Sequence, residues 1–433
     1  MEKILIHPDY SEYLDDWQQC RVFCEGRHKV RDYLNPVVPA SAPNAAERNA
    51  TYRKRAKYFN FPGRTRNGFS GMVFRKPPSY ELPDALAVYE SNITGSGESI
   101  TQLSKSLVSN LIETGRHGLY VDYLGEGDAG RPIIKEYRAE LSPYWDTDDQ
   151  KKLTYVRLKK GDGYKDLLLI DGVYIVHIVD NKGNIVEQYE PRQANGASFD
   201  FIPFVYAGSV NNNPDVDDIP IWSIVDLTQG HYQNSAEYED ILRFMLPTVA
   251  ATVPSRAWLN DVTDGNGYSV GSGAVLPIPP DGGDAKIIQA NDNQMHERAM
   301  RHKEDILVAL GAQMITPKTG AAEANDTVRL RFSSESSVLD DLVGNASEAI
   351  KNALQWCCLF VGADTELVTF ELNREYWDYS LSPQQIAAII MLQDRGDIGK
   401  SDARDLYRKG RILSEGRTDE DIDAEVSESG MGL

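Results

Sequence analysis

Cysteine is scarce in this chain and follows no pattern. Four cysteines in 433 residues, Cys20, Cys24, Cys357 and Cys358, do not make a disulfide framework, so a reducing folding environment is expected. Neither pair has zinc-site spacing. The seven histidines supply no ligand pair. His296 and His302 are not three or four apart, so they fall on different helix faces. Long apolar runs are missing as well. No stretch approaches the ~20 residues of a membrane span, and the opening MEKILIHPDY lacks the apolar core of a secretory leader. Neither a span nor a leader is expected.

Catalytic signatures are absent too. Gly396, Gly399, Lys400 and Ser401 end like a phosphate-binding loop, but Asp394 stands where that loop requires its first glycine, and a helix pattern precedes it instead of a strand. A connection between two helices is expected there. Gly95-Ser96-Gly97 lacks the third glycine of a dinucleotide loop. Residues 261–267, DVTDGNG, fail the register of a calcium loop. No nucleophile elbow, metal-ligand triad or placed carboxylate pair is found. The expectation is a protein that is not an enzyme, with no cofactor and no metal.

Positive charge is in deficit: 45 Lys and Arg against 65 Asp and Glu give a net charge of −20. Proteins that grip DNA are normally basic, so the composition argues against a tight DNA binder. It does not argue against a surface past which DNA slides. An acidic wall repels phosphates, and at physiological salt that repulsion reaches only about 8 Å, so it acts on DNA confined in a channel. Acidic charge also serves solubility in any protein, so charge by itself decides nothing.

Against that background one basic segment stands out. Residues 51–78 read TYRKRAKYFNFPGRTRNGFSGMVFRKPP. They interleave Arg53, Lys54, Arg55, Lys57, Arg64, Arg66, Arg75 and Lys76 with Tyr52, Tyr58, Phe59, Phe61, Phe69 and Phe74. Two readings follow from physics: a nucleic-acid surface, or amphipathic helices whose charged face is merely solvated. Tyr52, Ala56 and Phe59 suit one helix face. Phe69, Met72 and Val73 suit a second helix after a Pro62-Gly63 break.

The remaining pattern is mixed α and β. Helices are expected over 10–31, 46–61 and 99–114, with a Pro/Ala linker at 35–44. Gly118 to Tyr123 reads as a buried strand. Short β runs at 132–138, 154–159, 165–170, 173–179 and 185–189, with turn residues between them, predict an antiparallel meander. A long helix over 219–246 follows, with Pro220 in its first turn and Asp215, Asp217 and Asp218 at its positive end. Residues 248–289 hold β runs at 248–253 and 274–278. A second long helix covers 291–312, with Met295, Ala299, Ile306 and Leu310 on one stripe. Residues 313–334 read as a mobile loop ending in a short extended piece. A third long helix over 337–361 carries the stripe Leu339, Leu342, Ala346, Ile350, Ala353, Cys357 and Phe360. A strand at 365–372, a helix capped by Ser382 and a helix over 401–409 complete the pattern. The tail from Ser414 is rich in acids and expected to be disordered.

The basic segment, with its R-T-x-x-G-F-S-G-M-V-F-R-K-P-P core at 64–78 and the G-x-G-x-S-I entry at 95–100, resembles the signature of portal-like proteins of tailed bacteriophages, a family catalogued as a domain of unknown function. The helix-to-strand stretch LVSNLIETGRHGLYVDY at 107–123 extends the likeness. Element order carries it from there to about residue 360. The resemblance implies an α+β, portal-like, ring-forming fold. Residues 1–46 would be an N-terminal segment and 47–218 a mainly helical wing with the β meander. Stem helices at 219–247 and 291–312 would flank a small β clip at 248–290. A tunnel loop at 313–334, a wing helix at 335–362, a short C-terminal wing or crown at 363–413 and an acidic tail at 414–433 would follow. The short C-terminal region departs from the family in leaving little room for a large crown.

What the resemblance implies for function is a channel for double-stranded DNA at one capsid vertex. The ring would be a homo-oligomer, usually of about twelve copies in the family. Its implied partners are a terminase motor, major capsid and scaffold proteins and a head-tail adaptor protein, with no membrane. Its implied place is the virion, assembled in the bacterial cytoplasm. Candidate DNA contacts are Lys318, Arg329 and Arg331 near the tunnel, and Arg298, Arg301 and Lys303 on the second stem helix. The competing reading of these cations is surface solvation or pairing such as Glu297 with Arg301. Other readings of the chain are a head-completion or minor capsid protein, or an enzyme with an unrecognised site.

Overall fold

The computed structural model describes residues 5–125, 130–244, 249–252, 275–278, 294–310, 325–374, 376, 383–409, 412–414 and 416–430. It divides into two units, Met1–Leu372 and Asn373–Leu433.

Local chemistry sets the helix ends of the first unit. α1 (Pro8–Glu25) starts with a proline that needs no N–H partner, after His7, whose Nδ1 accepts from Asp9 N at 3.2 Å. It stops at Gly26, where φ is +96°. Trp17, Cys20, Phe23 and Cys24 bury its inner face. α2 (Ala45–Arg55) ends earlier than the sequence pattern implies, because Ala56 turns extended. α3 (Phe61–Val73) corrects the expected Pro-Gly break: Pro62 sits in its first turn, and the Asn60 side chain caps Gly63 N at 2.8 Å. Gly63 is required there, since a Cβ would stand 2.6 Å from Cys24 O. After strand β1 (Ser79–Glu81) and the single turn α4 (Asp84–Ala87) comes α5 (Ile100–Thr114). A capping box of Ser99 and Gln102 opens α5 and Gly115 in the left-handed region closes it, which places the helix expected at 99–114.

Two antiparallel sheets follow. The first has the order β3 (Arg131–Arg138), β2 (Arg116–Leu124), β9 (Phe204–Gly208). The second is a meander of β4 (Tyr144–Thr147), β5 (Leu153–Lys160), β6 (Gly163–Ile170), β7 (Val173–Val179) and β8 (Ile185–Tyr189). The run at 132–138 therefore does not belong to the meander. It pairs with β2, from His117 opposite Arg138 to Leu124 opposite Arg131. The short return from Leu124 to Arg131 makes β2 its antiparallel neighbour. β4 and β9 are additional strands that the sequence pattern does not reveal.

α6 (Trp222–Phe244) begins after Pro220, which lies in the preceding turn. Two of the three aspartates expected at its positive end have other side-chain partners. Asp217 Oδ2 accepts from Val210 N at 2.7 Å and Asn211 N at 3.1 Å, and Asp215 pairs with Lys151; Asp218 is held there through its backbone carbonyl, which accepts from Ser209 Oγ at 2.8 Å. Strands β10 (Val249–Thr252) and β11 (Val275–Ile278) pair in parallel, Val249 opposite Val275. α7 (Met295–Ala309) has a different inner face from the one expected: Met295 is 71% exposed, while Leu307 is fully buried.

α8 (Asn325–Val361) is 37 residues long. It corrects the expected loop and extended piece, because 325–334 continue the helix. The β-branched and serine-rich spelling of that stretch reads as weak helix, and growth back from an already packed helix overrides such propensity. The rest of the expected loop, including Lys318, lies outside the described residues. So do the tip of the 248–289 segment and Ser382. The predicted stripe from Leu339 to Phe360 is buried throughout. It packs α8 against β2, β3, β9 and α5. Asn345 Nδ2 donates to Gly208 O at 3.0 Å, and the Phe360 ring lies 4.8 Å from Phe199. All four cysteines are free and buried. At 365–372 only β12 (Thr369–Glu371) is strand, paired antiparallel with β1.

The second unit holds α9 (Pro383–Asp394), α10 (Lys400–Lys409) and α11 (Asp419–Gly430). Gly396, with φ +77°, lies in the turn between the first two. The acidic tail corrects the expectation of disorder. Thr418 and Asp421 form reciprocal N-terminal caps of α11, acids fill its first turn, and Arg404 and Arg408 of α10 pair with Asp419 and Asp423. Once cations from a neighbouring helix balance the charge, an acid-rich segment folds.

Candidate functional site

The helix pair α6 and α7, with β10 and β11 on the chain between them, is the element from which the candidate site is built. The helices run antiparallel, because their ties climb α6 as they descend α7. Ile224 packs with Leu307, joined by Phe61 and Leu227. Lys303 Nζ donates to Gly230 O at 3.1 Å and to the Asn234 side chain. His231 Nε2 meets Glu304 Oε1 at 2.9 Å, and His296 Nδ1 lies 3.4 Å from Glu237 Oε2. Gly230, an unfavourable residue inside a helix, gives the lysine its path: a Cβ there would sit 3.1 Å from Lys303 Cε.

The six candidate cations have different surroundings. Lys303 ties the hairpin together from within. Arg301 is 73% exposed and pairs with Glu297 four residues earlier at 2.5 Å. Arg298 is exposed and donates to Gln294 Oε1 at 3.1 Å. Arg329 and Arg331 lie on α8, and Lys318 lies outside the described residues. The structure thus brings Arg298, Arg301 and Lys303 onto one helix.

The basic run clasps α6. Tyr52 OH accepts from Gln233 Nε2 at 3.1 Å, and Lys57 N donates to Ser235 Oγ at 3.2 Å. Arg55 Nη1 lies 3.6 Å from Asp240 Oδ1. Phe59 and Phe61 stand edge-on to His231 at 5.5 and 6.0 Å. Burial, with Glu237 and Asp240 nearby, pushes the Tyr52 phenol up to about 12. Arg53 pairs with Asp32 at 3.8 Å, Arg66 with Glu113, and Tyr58 OH donates to Phe23 O at 2.6 Å. The exposed cations of the run are Lys54, Lys57 and Arg64. Much of the run therefore serves packing, and Phe59 lies in the turn between two helices, not on a helix face.

Sequence reasoning missed the buried charges that hold the hairpin's base. Arg116, fully enclosed, stacks 3.5 Å from the Tyr206 ring centre and 4.2 Å from that of Trp145. Its Nη1 donates to Pro214 O at 2.7 Å and Asp215 O at 2.8 Å, pinning the chain just before α6. Burial lowers its pKa. Gly115 beside it is crossed by the same segment, and a Cβ there would lie 2.6 Å from Asp218 O. Arg21 bonds Glu113 at 2.7 Å, Asn110 at 2.8 Å and Glu140 at 2.6 Å, joining α1 to α5 and the 139–141 turn. Burial alone would raise the Glu140 pKa, but the Arg21 bond and charge outweigh it and hold it below the usual value. One signal was legible: Arg21 lies on the same helix face as Trp17 and Cys24, and a cation on an apolar face requires a buried partner.

Among the described residues no cluster of three or more His, Cys, Asp or Glu converges as a metal site, and no helix is long and apolar enough to cross a membrane.

No curated protein matches the sequence. Among solved structures, a chain of the "Virion of native gene transfer agent (GTA) particle" is similar at 14% identity over 90% of this chain and 97% of that one, with a TM-score of 0.40. A chain of the "Neck of empty GTA particle computed with C6 symmetry" is similar at 13% identity over 86% of this chain and 95% of its own, with a TM-score of 0.41. A family described as a domain of unknown function (DUF4055) matches residues 220–361, a stretch that starts just ahead of α6 and ends with α8.

Proposed function

We propose that the chain is a structural protein of a tailed-phage head or neck, and within that class the portal: a homo-oligomeric ring at one capsid vertex through which duplex DNA enters and leaves. The observation that carries this reading is the order of elements at 220–361. A pinned antiparallel helix pair spans an insert with its own strand pair, and a 37-residue helix follows. Together with the segment signature at 64–100, this is the order of stem, clip, stem and wing helix that the portal-like resemblance implies. In this reading α6 and α7 are the stem and 248–290 the clip, where the terminase motor and head-tail adaptor dock.

The mechanism is mechanical and electrostatic. A net charge of −20 keeps the bore from trapping a polyanion, and at physiological salt the repulsion is felt only within about 8 Å. Arg298 and Arg301, exposed on α7, and Lys318, Arg329 and Arg331 are the proposed weak phosphate contacts. Lys303 is left out of that set, because its bonds hold α6 to α7. A ring of head-to-tail contacts has to close, or it grows into a filament.

The test is genome packaging. Particles assembled without the chain should form capsids with nuclease-protected DNA at background, and adding the chain back should restore protection. Full protection in its absence would rule the portal role out.

A further inference from the structure

A cleft of about 730 Å³ opens between the two sheets of the first unit. β2 and β3 contribute Tyr120, Asp122 and Lys135, the meander contributes Lys160, Lys165 and Tyr189, and Phe360 of α8 closes one side. Its volume falls within the range of small-molecule sites, about 300–1,000 Å³.

The charge arithmetic at its floor is unusual. Asp122 Oδ2 accepts from both Lys135 Nζ at 2.7 Å and Lys165 Nζ at 2.8 Å. Asp122 Oδ1 is also occupied, by Tyr123 N at 3.1 Å and Tyr120 OH at 3.3 Å. Two ammonium groups thus share one carboxylate and leave one positive charge over. The Lys165 side chain is only 5% exposed. Among the described residues, the other charges facing the cleft do not cancel the surplus. Lys160 and Glu187 offset each other in number, and Arg192 has Glu190 at 3.0 Å. Lys135, 40% exposed, presents that surplus to the open cleft, where an anion can accept its remaining N–H groups. The walls are aromatic: the Tyr123 ring stacks 5.6 Å from that of Phe360, and Tyr120 and Tyr189 lie 5.0 and 5.9 Å from Lys165 Nζ.

We propose that this cleft binds a small anion, a carboxylate or phosphate group on a flat apolar body. The anionic group meets the unspent N–H donors of Lys135 and Lys165, with Lys160 at the rim. The apolar body lies between the tyrosines and Phe360. The site stands on the first unit alone and does not depend on the ring.

Calorimetric titration of the full-length protein with inorganic phosphate, phenyl phosphate and benzoate tests it. Phenyl phosphate or benzoate should bind saturably at one per chain and more tightly than inorganic phosphate, and the tighter of the two identifies the headgroup. Lys135→Met removes the surplus charge but leaves Asp122 paired with Lys165, so the fold should persist while affinity falls about tenfold or more. Lys135→Arg should restore most of it. Lys160→Met, at an exposed position, gives a second reading if Lys135→Met unfolds, and should weaken binding severalfold. Absence of saturable binding at millimolar concentrations, or unchanged affinity in a folded Lys135→Met or Lys160→Met variant, would overturn the assignment.

Discussion

The base of the first unit and the α6–α7 hairpin use the same residue types in opposite ways. At the base, Arg21, Arg116 and Lys165 are buried and bonded to carboxylates or carbonyl oxygens, and each joins elements distant in sequence. On the hairpin, one internal lysine ties two helices, while Arg298 and Arg301 are exposed and bonded to residues four positions earlier. Buried cations specify how elements meet. Exposed, locally paired ones contribute little to stability, and these are the ones proposed to touch DNA. An acidic protein can therefore carry one set of cations that matters to the fold and another that the fold hardly needs.

The largest effect should come from breaking the base. Arg21→Ala strands Glu140 without its partner and leaves Glu113 with Arg66 alone, and chemical denaturation should show a loss of about 3–5 kcal/mol. The pH dependence sharpens the same contrast. Burial raises the pKa values of Asp122 and Glu140, but their cationic partners prevail and hold both below the usual value. Their contribution is thus present at neutral pH, above the unfolded-state pKa, and is lost as pH falls through the lower folded-state value. Glu140→Gln should flatten the acid side of the stability profile, and a profile identical to wild type would show that the pair is idle. On the hairpin, Lys303→Met removes two hydrogen bonds between α6 and α7 and should cost about 1–2 kcal/mol. Faster amide exchange should be confined to those two helices. The smallest effect belongs to Arg301→Ala, about 0.5 kcal/mol or less. If Arg301 instead proved as costly as Arg21, the division between the two sets of cations would fail.

Much of the fold is readable from local chemistry. The α5 helix over 99–114, the β runs from 154 to 189 and the apolar stripe of α8 each depend on residues close in sequence, and each stands where its pattern predicts, although the 132–138 run joins the other sheet. What the pattern misses depends on residues far away. β9 is a strand only because β2 lies beside it. The backward growth of α8 overrides its weak propensity, and α11 folds because arginines of α10 face its acids. For the candidate site, the sequence identifies the helix pair and its cations. It does not distinguish Lys303, which faces Gly230, from Arg301, which faces water, because both sit on the same polar-looking helix.

The account rests on copies of the chain enclosing a bore. Electron microscopy of the purified assembly measures this directly, through particle mass, rotational symmetry and the width of any central channel. The prediction is a closed ring with a channel that admits B-form DNA, about 20 Å across given the dimensions of its grooves. A monomer at high concentration, a solid particle, or a pore too narrow for the duplex would contradict it.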